Sequence, residues 1–286
     1  MGTDSTVPNA VHRGKKPMLG APVMVLRNMH GKRRLIRQMV SRDLHLKYHK
    51  SLLGWAWSLI EPLALTATFW LLFEILSVGA EDYRPLKILI GIMIWGAFAK
   101  SWSQGTKSLE VNSGMIQRVA IPREIFIHSI IGLNLTTMML NLIAVIPLLI
   151  WYGLTPTWNL LYLPLAIIML VMLSMGLAMF TSILQARWRD FTHLVNLIIR
   201  IGFYLSPVFY TLEMMKGGRI PEQYIDTYLW INPMAVILTL AKCSFTGEAL
   251  GISNLHLVGS FVQVLIICIL GMIWFVRKER KAVKYL

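Results

Sequence analysis

Apolar runs close to the width of a bilayer recur along this chain, and they limit what it can become. The first reads LIEPLALTATFWLLFEILSV, residues 59–78. A helix advances about 1.5 Å per residue, so roughly 20 apolar residues cross the hydrocarbon core. Comparable runs lie at about 86–102, 125–151, 160–183, 191–210 and 257–276. Inside hydrocarbon every backbone N–H and C=O needs a partner, which these runs can supply only as helices. The sequence predicts an all-α integral membrane protein with six transmembrane helices.

Composition agrees. Of 286 residues, 56% are hydrophobic and 15% charged, where soluble domains carry about a quarter charged. The mean hydropathy is +0.59. A net charge of +14 would suggest nucleic acid in a soluble protein. Here the basic residues sit in the termini and short loops, which reads as membrane topology. Cys243 and Cys268 lie far apart and fit neither a zinc motif nor a disulfide framework.

The divisions follow. Residues 1–27 are polar, with several prolines and glycines, and are expected to be a flexible cytoplasmic segment. Residues 28–58 contain apolar Leu35, Ile36, Met39, Val40 and Leu44 at helical spacing among Arg33, Arg34, Arg37, Arg42, Lys47 and Lys50. This predicts an amphipathic helix lying on an anionic membrane surface, apolar side down. Residues 59–276 form the six-span domain, with a polar segment at 103–124 and a mixed region at 211–253. The tail 277–286 is basic. In 211–253 the apolar piece from Tyr228 to Leu240 is interrupted by Asn232-Pro233. It is short for a crossing and predicts re-entrant helices between spans five and six; a seventh span is the competing reading. Lys216, Arg219 and Lys242 of that region are balanced by Glu213, Glu222, Asp226 and Glu248. Six spans put both termini, 103–124 and the turn QARWRD on one side together with most of the basic residues. The positive-inside rule makes that side the cytoplasm. A seventh span would send the basic tail outside.

Several residues stand out against the apolar background. A charge in the membrane costs at least ~2.5–3.5 kcal/mol, which singles out Arg200 in span five and Glu74 near the outer end of span one. A Glu74–Arg200 pair is possible but mismatched in depth; Arg200 could equally meet an anionic head group in a wet cavity. Lys100, near the end of span two, can snorkel toward the head groups. Asn134, Thr136, Thr137 and Asn141 in span three should face protein or a cavity. Gly176, with Ser174 and Ala178 nearby, allows a close helix contact. Phe69, Trp70, Phe73, Phe203 and Tyr204 are candidate channel-lining aromatics, with packing or lipid contact as the plainer alternative. Ser206-Pro207 falls near the end of span five, where Pro207 denies the helix one backbone bond and biases Ser206 away from helix. Lys107 to Glu124, including Ser108, Asn112, Gln117, Arg118, Arg123 and Glu124, has the pattern of a short helix that docks a cytoplasmic partner; an ordinary loop is the alternative. Arg187-Trp188-Arg189-Asp190 is a second partner surface or a head-group anchor.

No GxxxxGK[ST] loop is present, so the chain is not expected to hydrolyse ATP. No catalytic residue, metal site or bound cofactor is expected. His45 and His49 share a helix face but lack a third ligand.

Taken in order, a set of short motifs resembles the membrane subunit of the ABC exporters of lipid-linked polysaccharides, such as O-antigen, galactan and teichoic-acid exporters. The set is Arg42-Asp43-Leu44, Leu46-Lys47-Tyr48, Ser51, Leu53-Gly54 and Trp57 leading to Pro62. It continues with Asn112, Ile121-Pro122-Arg123-Glu124, Arg189-Asp190, Ser206-Pro207-Val208, Asn232-Pro233-Met234 and Glu279-Arg280. Ile121 departs from the phenylalanine common in the family. The resemblance implies a homodimer with two copies of a separate nucleotide-binding ATPase, which would hold ATP and Mg²⁺. It implies a gate helix before span one, a coupling helix at Ser108–Arg118, and an outer closure made by the re-entrant pieces, among them Ser206, Pro207, Asn232 and Pro233. The substrate would be a glycan on a polyprenyl diphosphate, met by Arg37, Arg42, Lys47 or Lys50 in the inner membrane. No nucleic-acid partner is implied. Two alternatives remain open at this point: an ABC permease for a small lipid or drug, and a polyprenyl-linked membrane glycan transferase. The transferase should show converging acidic residues, and Asp43, Glu110, Glu124 and Asp190 are few and sit beside basic ones.

Overall fold

The computed structural model describes residues 20–49, 53–76, 81–119, 121–216 and 221–285. Lys50, Arg219 and most of the segment expected to be flexible lie outside the described residues. In chain order the helices are α1 (Ala21–Gly31), α2 (Arg33–Tyr48), α3 (Ala56–Ile75), α4 (Arg84–Thr106), α5 (Ser108–Val111), α6 (Ser113–Arg118) and α7 (Glu124–Asn141). They continue with α8 (Val145–Trp151), α9 (Tyr162–Arg187), α10 (Phe191–Leu205), α11 (Leu212–Lys216), α12 (Glu222–Ile231), α13 (Pro233–Thr246) and α14 (Asn254–Ala282).

This is a multi-pass, all-α membrane protein. Among the described residues, five helical stretches are long and apolar enough to cross a bilayer: α3, α4, α7 running on into α8, α9 with the short turn before it, and α14. The fifth expected span, 191–210, is shorter than predicted. Its helix α10 ends at Leu205, and Ser206 is extended at φ −94°, ψ 151°. The cause is local: Pro207 pushes Ser206 out of helical geometry.

The 211–253 region contains a bent pair. α12 and α13 meet at 98° across Asn232-Pro233. The Asn232 side chain accepts from Met234 N at 3.1 Å, and Pro233 opens α13 where a missing N–H costs nothing. The helix stops at Gly247, whose φ of +75° suits glycine. The two flanks of the pair are neighbours. Lys216 Nζ donates to Gly251 O at 2.8 Å, and Asp226 lies 3.7 Å from His256. At 98° the pair is no straight crossing; it is a broken span or a re-entrant element.

α4 stands at the centre, packed by α3, α7, α9, α10 and α13. The α9–α14 crossing is tight because a Cβ on Gly176 would lie 2.6 Å from Ile267 O; Gly271 answers from α14 against the Gly176 carbonyl. α1 packs on α14 and α7, and α2 packs on α7. Asn28 of α1 meets Glu124 at the start of α7, and Arg123 beside it lies 4.0 Å from Glu279 near the end of α14, so α1 and the last turns of α14 gather at the start of α7.

Candidate functional site

At the basic end, α2 turns Arg33, Arg34, Arg37, Arg42 and Lys47 outward. Its apolar stripe was predicted to face lipid. Instead Met39 is buried against Ile125 and Phe126, with Leu35 and Ile36 beside them, and Val40 reaches Gly132 of α7. Amphipathicity required an apolar partner, and the chain's own α7 supplies one. His45 and His49 edge a groove with Tyr48, Trp55 and Leu140. Among the described residues no group of three His, Cys, Asp or Glu side chains is placed to hold a metal.

The 103–124 segment folds as α5 and α6. Ser108 is fully buried and its carbonyl accepts from Asn112 Nδ2 at 2.8 Å. Gln117 and Arg118 are exposed. Glu124 is buried and accepts from Asn28 Nδ2 of α1 at 2.6 Å. Arg123 lies 4.0 Å from Glu279 of α14. Two of these joins had no sequence signal. Asn28 is one. Gln185 is the other: its Oε1 accepts from Thr192 N and Oγ1, both at 2.7 Å, and its Nε2 donates to Arg189 O at 2.7 Å and Glu110 at 2.9 Å. Gln185 therefore shapes the Arg187–Asp190 turn and ties it to α5, so the two predicted partner surfaces form one.

Deeper in, a cavity of about 170 Å³ opens between α3, α4, α7 and α10. Its lining includes polar Ser58, Glu61, Lys100, Asn134, Thr137 and Asn141 and apolar Ile92, Met93, Trp95 and Phe203. Three of the four polar residues singled out in span three thus line the cavity: Asn134, which is buried and donates to Gln104 at 3.1 Å, Thr137, and Asn141, which lies 2.9 Å from Ser58 Oγ, whereas Thr136 Oγ1 donates to Gly132 O of its own helix at 2.8 Å. Lys100, read as snorkelling, is paired with Glu61 at 3.3 Å.

Beyond the cavity stands an aromatic cluster. Phe69 stacks on Phe209 with centroids 4.9 Å apart. Phe203 adjoins Phe69, Trp95 and Phe209 at 6.1, 6.1 and 5.9 Å; Phe73 and Tyr204 complete the group at 6.3 and 6.2 Å from Phe209. Trp70 is not part of it. One residue on from Phe69, it points elsewhere, is exposed, and donates to Glu74 at 3.2 Å. Arg200 sits on an exposed face of α10 and makes no ion pair with Glu74 among the described residues.

At the far end the two proline motifs meet. Asn232 Nδ2 donates to Ser206 Oγ at 2.9 Å. The Tyr210 and Tyr228 hydroxyls both donate to Leu205 O, at 2.8 and 2.9 Å. Lys242, read from sequence as one of several balanced loop charges, is fully inside. Its Nζ donates to Pro207 O at 2.6 Å and Tyr210 O at 2.8 Å, carbonyls freed by the break after α10. The signal was available: a lysine inside the apolar stretch Pro233–Thr246 is costly unless paired. Lys87 meets Glu248 at 2.7 Å and Glu81 at 3.2 Å, closing α4 onto the exit of α13.

The described residues thus form an all-α membrane bundle with a cavity of mixed polarity between its helices and one sharply bent helix pair. The chain matches the ABC-2 type transporter family model over residues 34–242 and belongs to that family. It is similar to the O-antigen export system permease protein RfbA of Myxococcus xanthus, 23% identical over 223 residues, 78% of this chain and 84% of that protein. It is also similar to the protein of the same name from Klebsiella pneumoniae, 27% identical over 237 residues, 80% of this chain and 88% of that protein. Membership makes it the permease part of a complex whose nucleotide-binding domains reside in another component.

Proposed function

We propose that two copies of this chain form the membrane path of an ATP-driven exporter for a polyprenyl-diphosphate-linked polysaccharide, with two copies of an ATPase subunit docked at the basic end. The observation that carries the reading is the Gln185–Glu110 bond. It makes one continuous surface of α5, α6 and the Arg187–Asp190 turn, so that a push on Gln117 and Arg118 reaches α9, α10 and the cavity between the spans. The O-antigen role of the relatives supports the substrate class, and the polar cavity capped by aromatic rings suits a sugar chain on a charged lipid head.

In this reading the basic end is cytoplasmic by the positive-inside rule, and both termini lie there, in the inner membrane. α10 serves as the fifth of six crossings. Residues 28–58 form the gate segment, where Arg37, Arg42, Lys47 and Lys50 offer cations to the diphosphate. Gln117 and Arg118 touch the ATPase directly, whereas Ser108, Asn112, Arg123 and Glu124 brace the surface from behind. The hairpin around Ser206, Pro207, Asn232 and Pro233 closes the outer mouth.

The test is reconstitution with the ATPase encoded beside the gene, following hydrolysis in liposomes with and without lipid-linked glycan. Arg118→Glu, at an exposed site, should cut stimulated hydrolysis at least about tenfold, the loss expected from removing a charged interface contact, and should leave elution and melting unchanged. Full stimulation in Arg118→Glu would break the coupling assignment. Failure of any ATPase to co-purify would break the exporter reading itself.

A further inference from the structure

We infer that Lys100 is the anion-binding residue of the membrane interior, and that Glu61 occupies it until the diphosphate of the substrate arrives. The inference deepens the transport reading above and rests on it. Glu61 lies five residues into α3 and Lys100 six residues before the end of α4, roughly 8–9 Å in from the basic end at 1.5 Å per residue. Their carboxylate and ammonium are 3.3 Å apart, yet 62% and 48% of the side chains remain exposed. Against lipid, half-exposed charges at such depth would be costly. The pair is stable where water reaches it, so this face borders a wet path and not the acyl chains.

The surroundings fit an anionic head with an apolar neighbour. Polar Ser58, Asn134 and Asn141 line the cavity together with the rings of Trp95 and Phe203. One turn along α4 from Lys100, a Cβ on Gly96 would meet nothing within 4 Å, so room is open beside the ammonium. Lysine binds phosphate as a compact point charge, in charge-assisted hydrogen bonds. Glu61 and a phosphate compete for the same three N–H donors. The carboxylate keeps Lys100 neutralised at rest and gives the departing anion a successor, which prevents a lone cation from trapping it.

Competition makes the two partners act with opposite sign. The experiment uses the chain with its ATPase in nanodiscs. ATP hydrolysis is titrated with undecaprenyl diphosphate, and undecaprenol serves as the uncharged control. Wild type should respond to the diphosphate and not to the alcohol. Lys100→Gln should raise the half-saturating concentration about tenfold, the loss of one charge-assisted bond. Glu61→Gln should lower it by several-fold, and Lys100→Arg should restore the response, with melting curves reporting that each variant is folded. If both glutamine variants weaken the response, the pair is a structural bridge and the inference falls. If neither shifts it while wild type still responds, the inference falls and the transport reading stands. If wild type responds to neither lipid, both fall.

Discussion

α3 and α4 are adjacent and similar in length and overall hydropathy, yet they occupy opposite situations. α4 is buried along nearly its whole length, from Arg84 to Thr106. α3 buries only Pro62 and Thr66 and leaves Trp70, Leu71 and Ile75 exposed. Hydropathy cannot explain the difference, since lipid is as apolar as leucine and gives helices no hydrophobic reason to associate. Shape can. α4 has glycines where neighbours press in: Gly91 beneath the Val208 carbonyl, and Gly105, where a Cβ would lie 2.6 Å from Ala178 Cβ. α3 has no glycine at all. Position in the bundle follows from where backbones can approach. The exposed side of α3 is covered by something other than this chain's own helices.

The harshest way to test this is to fill one of those approaches. Gly91→Val would drive a side chain into the Val208 carbonyl, a backbone atom held by the Ser206-Pro207 turn and unable to swing aside. Overpacking costs about 1–3 kcal/mol where neighbours can yield, and more where they cannot; we expect a loss of about 3 kcal/mol or more, seen as failure to recover monodisperse protein. Gly96→Val, five residues along the same helix, enters open space and should leave the unfolding midpoint nearly unchanged. Equal behaviour of the two variants would mean that the turn after α10 is not fixed against α4, and the account of α4's central place would fail.

Next in size is Lys242→Met. Methionine keeps the volume but removes both donors to the Pro207 and Tyr210 carbonyls. Hydrogen bonds to a charged group contribute about 1.5–3 kcal/mol, and the orphaned acceptors cannot turn to water. A destabilisation of about 2 kcal/mol in SDS-driven unfolding is expected. No loss would show that other donors serve these carbonyls, and that the lysine does not pin the end of α10 onto α4 and α13.

What the sequence made legible were features with a local cause. Asn232-Pro233 announces a helix start because the amide caps and the ring suits the first turn; the sharp bend is there. Phe69 and Phe73 share a face because they are four residues apart, and Trp70 falls outside because one residue is about 100° of turn. Legibility ends where a partner must be named. The stripe of α2 called for an apolar surface, and nothing in the stripe distinguishes lipid from α7. Val208, Phe209 and Tyr210 carry the apolar run past Pro207, so the run looked continuous, although the helix ends at Leu205. Glu61 and Lys100 are far apart in sequence, and Lys100 looked like a lone charge near the end of its span. Gln185 resembles any polar residue at a helix terminus, and only the fold brings Glu110 and Thr192 to its two ends.

The smallest effect belongs to the outer side of α3, and there the protomer and the assembly should disagree. Leu71 is 58% exposed. Truncation away from a packed contact usually changes stability by less than about 0.5 kcal/mol, so Leu71→Ala should leave the unfolding of the isolated protomer almost untouched. If lipid covers this face, it should be equally silent in the assembled transporter, because one apolar surface replaces another. If a second copy covers it, the lost packing reappears as weaker association, measurable as a shift of the protomer–dimer equilibrium with dilution in detergent. A change in protomer stability of a kilocalorie or more would contradict both coverings. It would return α3 to the packed interior that α4 occupies, and with it the argument that glycine placement, not apolar content, separates the two helices.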